Sequence, residues 1–162
     1  MKTEFGNYDS MYGSLDYDDA VVLDIGADYG TTARYFFGRG AKQVIVSERN
    51  HDWHAKLLTF AETEPRLTVI DLLREHDVAA VFELHRPDVV KVDCEGCERI
   101  LLSLPDTLLG APRSWVMETH SRELYDEFRT RFATLGYLVQ TVEDWPETTK
   151  RCVKVITAER QP

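Results

Sequence analysis

The feature that most constrains the fold of this chain is an alternation between short β-branched runs and segments whose apolar residues recur at helical spacing. Val21-Val22-Leu23-Asp24-Ile25 ends at Gly26, and Thr31 to Phe37 then places Ala33, Phe36 and Phe37 on one helix face before Gly38 and Gly40. Val44-Ile45-Val46-Ser47 is a second strand, after which Trp53, Leu57 and Ala61 recur every four residues up to Pro65. Leu67 to Ile70 reads as a third strand, with Asp71 as the cap of a helix that starts immediately afterwards. Asp88 to Asp93 is the fourth, followed by a helix face of Ile100, Leu101 and Leu104 that Pro105 closes. Trp115-Val116-Met117-Glu118 is the fifth, and Leu124, Phe128, Phe132 and Leu135 line a helix that stops at Gly136. Tyr137 to Val142 and Cys152 to Ile156, joined by the turn-rich stretch Glu143 to Lys150, read as a closing hairpin.

Strands that alternate with helices in this way connect by right-handed crossovers into a mostly parallel sheet covered on both faces. The expected fold is therefore α/β and Rossmann-like, with helices on both faces and a C-terminal antiparallel hairpin. A length of 162 residues fits one domain, 1–162. Its aromatic start, with Phe5, Tyr8, Tyr12 and Tyr17 inside residues 1–19, either folds over a ligand as a lid or packs on the sheet edge. Sheets of this type bind ligands beyond the carboxyl ends of their strands. Those ends are Asp24 to Gly30, Glu48, Asp71, Asp93 to Gly96, and Glu118 to His120.

Charge narrows the class of partner. Nineteen Lys and Arg against 28 Asp and Glu leave a formal charge of −9, a field that repels phosphate backbones and anionic lipid, so neither nucleic acid nor a membrane is the expected partner. No stretch approaches the roughly 18 uninterrupted apolar residues of a membrane helix, and Met1 to Gly6 carries no apolar targeting region. Three cysteines do not make a disulfide framework, which points to a reducing, cytoplasmic setting.

Asp24-Ile25-Gly26-Ala27-Asp28-Tyr29-Gly30 places two glycines four apart where a strand turns into a helix. Glycine there permits positive φ and close approach of a ligand to the backbone. A dinucleotide fingerprint needs further glycines at 28 and 31, where this chain has Asp28 and Thr31. What remains is a loop for a nucleoside with an amino-acid tail, and Asp24 is the acidic residue that suits the tail's ammonium, directly or indirectly. Glu48 ends the second strand 18 residues after Gly30, where a carboxylate can accept from both ribose hydroxyls. Each feature alone has a structural reading, as a tight turn or a helix cap; within one βαβ unit they point together to nucleotide-type binding.

The sequence also resembles FkbM-type methyltransferases. Asp24 to Gly30 looks like the family's "D-[VI]-G-A-N-x-G" loop, with Asp28 at the usual Asn. Lys91-Val92-Asp93-Cys94-Glu95-Gly96-Cys97-Glu98 looks like "K-[IV]-D-V-E-G-A-E", and Met117-Glu118-Thr119-His120 resembles the later "E-x-H". The resemblance covers about residues 20 to 135. It implies the class I methyltransferase fold, S-adenosyl-L-methionine as cofactor, and O-methylation of a hydroxyl on a sugar, polyketide or other small molecule. Asp24, Gly26, Ala27, Asp28, Gly30, Glu48, Asp71 and Asp93 are then the expected cofactor residues, with Asp71 assigned to the adenine amine; as a helix cap it has an equally good structural role.

A sulfonium is already activated, so such an enzyme must align an acceptor oxygen, exclude water and remove a proton. His120 is the expected base and Asp93 its catalytic neighbour, in a cluster with Glu95 and Glu118. Asp93 with Glu118 could instead orient His120 or hold a divalent cation, although no metal ligand is assigned. His120 could equally serve by bonding backbone alone. Cys94-x-x-Cys97 has the spacing of a redox or zinc pair, but without a second pair the two are read as passengers of the motif. The short chain leaves a second function open, a minimal cofactor-binding module without turnover.

Overall fold

The computed structural model describes residues 8–71, 73–144 and 154–160; the expected loop from Trp145 onward, Cys152 and Phe5 lie outside them. Seven strands form one sheet: β1 (Val21–Ile25), β2 (Gln43–Ser47), β3 (Leu67–Ile70), β4 (Val89–Val92), β5 (Ser114–Thr119), β6 (Tyr137–Asp144) and β7 (Lys154–Arg160). Their spatial order is β3-β2-β1-β4-β5-β7-β6. The first five pair in parallel, and β7 inserts antiparallel between β5 and β6. The helices are α1 (Tyr8–Tyr12), α2 (Thr31–Gly38), α3 (His51–Ala61), α4 (Val78–His85), α5 (Asp106–Leu109) and α6 (Arg122–Thr134), with a 3-10 helix over Cys97–Ser103. This is the expected Rossmann-like architecture with its antiparallel hairpin.

The central strands read as unbroken apolar runs because both faces of the sheet are buried. Leu23, Ile25, Ile45, Val90, Val92 and Trp115 face a core shared with Phe82, Leu101, Phe128 and Phe132. Their alternates Val22, Val44, Val46, Val89 and Val116 face a second core with Ala33, Phe36 and Leu57. Tyr12, Leu15 and Tyr17 are buried in that second core, and the Tyr17 hydroxyl donates to the Tyr12 carbonyl at 2.9 Å. Tyr12, Leu15 and Tyr17 thus pack on the sheet face, while Tyr8 bonds the Thr31 side chain beside the Gly26 to Gly30 loop. Among the described residues, no helix is long and apolar enough to cross a membrane.

Two helices differ from the sequence reading. Asp71 is not the cap of the next helix: α4 starts at Val78, with Asp77 at its N-cap position, and the Val78 amide bonds the Arg74 carbonyl at 3.1 Å. The Ser47 hydroxyl donates to the Asp71 carbonyl at 3.3 Å and accepts the Leu73 amide at 3.0 Å, which ties this segment to the end of β2. The segment after β4 winds as a 3-10 helix, with Leu101 buried, and ends before Pro105 as expected.

The sheet order reverses direction beside β1, whose neighbours are β2 and β4. That switch point opens a crevice at the carboxyl ends of the three strands.

Candidate functional site

The loop after β1 is folded tightly against β4. Gly26 adopts φ 84°, and a Cβ there would lie 1.7 Å from the carbonyl oxygen of Asp93, so only glycine fits. The amides of Gly26 and Ala27 donate to the Ser47 carbonyl at 2.9 and 3.4 Å. Asp28 also has positive φ, 49°, a conformation that Asn and Asp adopt more readily than other side chains, which accounts for either residue at this place. Its amide donates to Glu48 Oε2 at 2.9 Å, while Glu48 Oε1 accepts the Asn50 amide at 2.7 Å. Glu48 therefore ties the glycine loop to the start of α3.

Asp24 lies beneath the loop, fully buried. Its Oδ1 is 2.9 Å from Lys91 Nζ, and Oδ2 accepts the Thr32 hydroxyl at 2.5 Å. Lys91, equally buried, also donates to the Gly26 carbonyl. Burial disfavours the ammonium, but Asp24 and the acidic surroundings more than offset this and hold the Lys91 pKa above its usual value. Of the two roles expected for Asp24, the direct one is closed by burial; it supports the loop from below.

Above the loop lies a cleft of about 360 Å³ lined by Gly26, Asp28, Glu48, Asn50, Trp53, Leu73, Asp93 and Cys94, among others. Asp71, the expected partner of an adenine amine, does not line it. It is exposed and borders a separate depression with Arg74 and Asp77. The Ser47 bonds that tie down this segment bring Leu73 into the cleft wall instead, an apolar side chain 6% exposed. The sequence reading missed Leu73, whose only signal was its place just beyond the third strand.

Cys94 and Cys97 are joined by a disulfide, contrary to their reading as unbonded passengers. Glu95 and Gly96 between them both have positive φ, 55° and 101°, which turns the chain back and brings the two Cα atoms to 5.4 Å. Both cysteines border the cleft.

At the ends of β4 and β5, His120 sits among carboxylates. Nδ1 is 3.2 Å from Glu98 Oε1, and Nε2 is 3.3 Å from Glu118 and 3.6 Å from Glu95. Glu98, fully buried, also accepts the His120 amide at 2.8 Å. The carboxylates of Glu118 and Glu98 beside the ring push the imidazole up to about 10, so at neutral pH it holds its proton. The expectation that His120 is the base is revised accordingly, because a group already protonated cannot accept a proton. Asp93, pushed up to about 6 by burial with a further contribution from Glu118, lines the cleft and faces this cluster. Glu98 enters the sequence reading only as the last residue of the Lys91 to Glu98 motif; nothing local signals a partner 22 residues away.

No protein-family model matches the chain. It is 30% identical over 95 residues to Uncharacterized protein 158B of Sulfolobus islandicus rod-shaped virus 1, a match that spans 58% of this chain and 58% of that protein. Among solved structures, the fold is similar to precorrin-6y C5,15-methyltransferase from Geobacter metallireducens GS-15, with a TM-score of 0.65 and 17% identity over 99% of this chain and 90% of the other. It is also similar to Sp1610 of Streptococcus pneumoniae, assigned as a tRNA (m1A22) methyltransferase and crystallised with S-adenosyl-L-methionine. That TM-score is 0.64, at 20% identity over 91% and 69% of the two chains. The fold is thus that of the Rossmann-like methyltransferases.

Proposed function

We propose that this chain binds S-adenosyl-L-methionine and transfers its methyl group to a hydroxyl of a small molecule. The observation that carries the reading is the cleft at the switch point, floored by the Gly26 to Gly30 loop and flanked by Glu48. A carboxylate oxygen has two lone-pair directions, so Glu48, though it accepts two amides, retains acceptor capacity for a ribose diol. Leu73 offers an apolar wall for a base. The motifs that resemble FkbM-type methyltransferases, Asp24 to Gly30 and Lys91 to Glu98, border this same cleft.

The cofactor, when bound, supplies an electrophilic methyl on a sulfonium. The chain's own contribution is placement. Asp93 lies inside the cleft at the end of β4 and is the side chain placed to accept a hydrogen bond from the acceptor hydroxyl. Glu118 and charged His120 fix the polar wall beside it. Asp93, Glu95 and Glu118 gather negative charge at this end, which disfavours polyanionic acceptors and supports a neutral or cationic small molecule over nucleic acid.

Calorimetry with S-adenosyl-L-methionine, S-adenosylhomocysteine and NAD tests the reading. The adenosyl compounds should bind and NAD far less well, with Glu48→Ala weakening them by roughly 1 to 3 kcal/mol. Equal binding of NAD, or indifference to Glu48→Ala, would overturn it. Incubation with methyl-labelled cofactor and a panel of hydroxylated compounds then separates an enzyme from a binding module.

A further inference from the structure

We infer that Asp93, Glu118 and His120 form a binding site for a divalent cation of the Mn²⁺ type, at the acceptor end of the cleft. Three observations converge on it. The first is convergence of donors: Asp93 and Glu118 each bring a carboxylate oxygen, and His120 a ring nitrogen, with all three atoms within 4.8 Å of one another. Ligands on an ion with bonds of about 2.1 Å stand about 3 Å apart at right angles and about 4.2 Å apart when opposed, so modest side-chain closure brings the three onto one centre.

The second is an orphaned nitrogen. The His120 side chain is only 9% exposed, yet Nε2, buried, makes no hydrogen bond among the described residues. It is aimed at the oxygens of Glu118 and, from the outer side, Glu95. A buried polar atom without a hydrogen bond is rare enough to call for an explanation, and the role of a metal ligand supplies one.

The third is the far side of the ring. Nδ1 faces Glu98 Oε1 at 3.2 Å, and Glu98 is itself fixed by burial and by the His120 amide. A carboxylate behind the distal ring nitrogen is the arrangement that orients metal-bound histidines: the ion displaces the Nε2 proton to solvent, and the proton on Nδ1 stays bonded to Glu98. The order of elements produces it: β4 ends at Asp93, the 3-10 helix carries Glu98 beneath, and β5 delivers Glu118 and His120 side by side.

The donor set chooses the ion. Two carboxylates with one imidazole are harder than a zinc-type thiolate or multi-histidine site and softer than the all-oxygen sites of calcium, which favours Mn²⁺ and its neighbours. The existence of the site is independent of the methyltransferase reading; its role rests on that reading, with the ion carrying the acceptor oxygen so that Asp93 acts through the metal.

The test uses Mn²⁺ alone, without cofactor. Electron paramagnetic resonance of free Mn²⁺ during titration with the full chain should show one bound ion per chain. His120→Ala and Asp93→Asn should each weaken binding tenfold or more, and Glu98→Gln, which keeps the shape, by about ten- to a hundredfold. Asp77→Asn, in the neighbouring depression, should leave it unchanged. Circular dichroism and adenosyl-ligand calorimetry on the same samples show whether a variant is folded and whether the cofactor reading stands by itself. No bound Mn²⁺ at millimolar concentrations, or binding that survives both His120→Ala and Asp93→Asn in folded protein, would overturn the site.

Discussion

Glu98 is fully buried yet ionised, and the imidazole of His120 stands 3.2 Å from its Oε1. Burial alone would raise its pKa, but hydrogen bonds from the His120 ring and amide outweigh this and lower it. Because the folded value lies below the unfolded one, near ~4.3, the stabilisation is complete above the unfolded value and is lost as pH falls through the folded one. Glu98→Gln should therefore destabilise the protein at pH 7 by about 1.5 to 3 kcal/mol, the range for hydrogen bonds to charged groups. Denaturant melts repeated at falling pH should show the gap between the two proteins closing below about pH 4. A gap that persisted at pH 3 would mean that shape, and not charge, is what Glu98 contributes.

At the scale of elements, the strands were legible and the segments between them less so. β1, β2, β4 and β5 announce themselves because fully buried strands need runs such as Val44-Ile45-Val46, and α6 because Leu124, Phe128 and Phe132 keep strict spacing. The placement of Asp71 and Leu73 was not legible, since it depends on the Ser47 hydroxyl, 26 residues before Leu73. The tight turn after β1 could be read because positive φ at Gly26 and Gly30 demands glycine. The environment of His120 could not, because it is assembled from three elements. The disulfide belongs to the same group: its spacing was visible, but the left-handed turn at Glu95 and Gly96 that closes it was not. Alkylation in denaturant should leave Cys94 and Cys97 unlabelled before reduction and label both after it, read by mass spectrometry of their peptides. Labelling of both without reduction would show Cys94 and Cys97 to be thiols.

At the scale of the whole molecule, a buried ion pair joins the two halves of the sheet. Lys91 on β4 reaches Asp24 on β1 and the Gly26 carbonyl above it, with both side chains withdrawn from solvent. Lys91→Met would leave a buried carboxylate uncompensated, at a cost of about 3 to 5 kcal/mol. Lys91→Met combined with Asp24→Asn should recover a substantial part of that in thermal or urea melts, as expected for two groups that act on each other. Additive losses would place their effects elsewhere.

That buried pair also bears on how a ligand meets this protein. A loop stitched to β2 by the Ser47 carbonyl, to α3 by Glu48 and to β4 by Lys91 has little conformational freedom left to surrender. Association at the cleft then resembles docking onto a rigid floor, with affinity undiminished by the entropy of ordering a flexible segment. Its heat-capacity change should match the apolar surface covered by the ligand alone, and amide exchange at Gly26 and Ala27 should be slow before any ligand arrives.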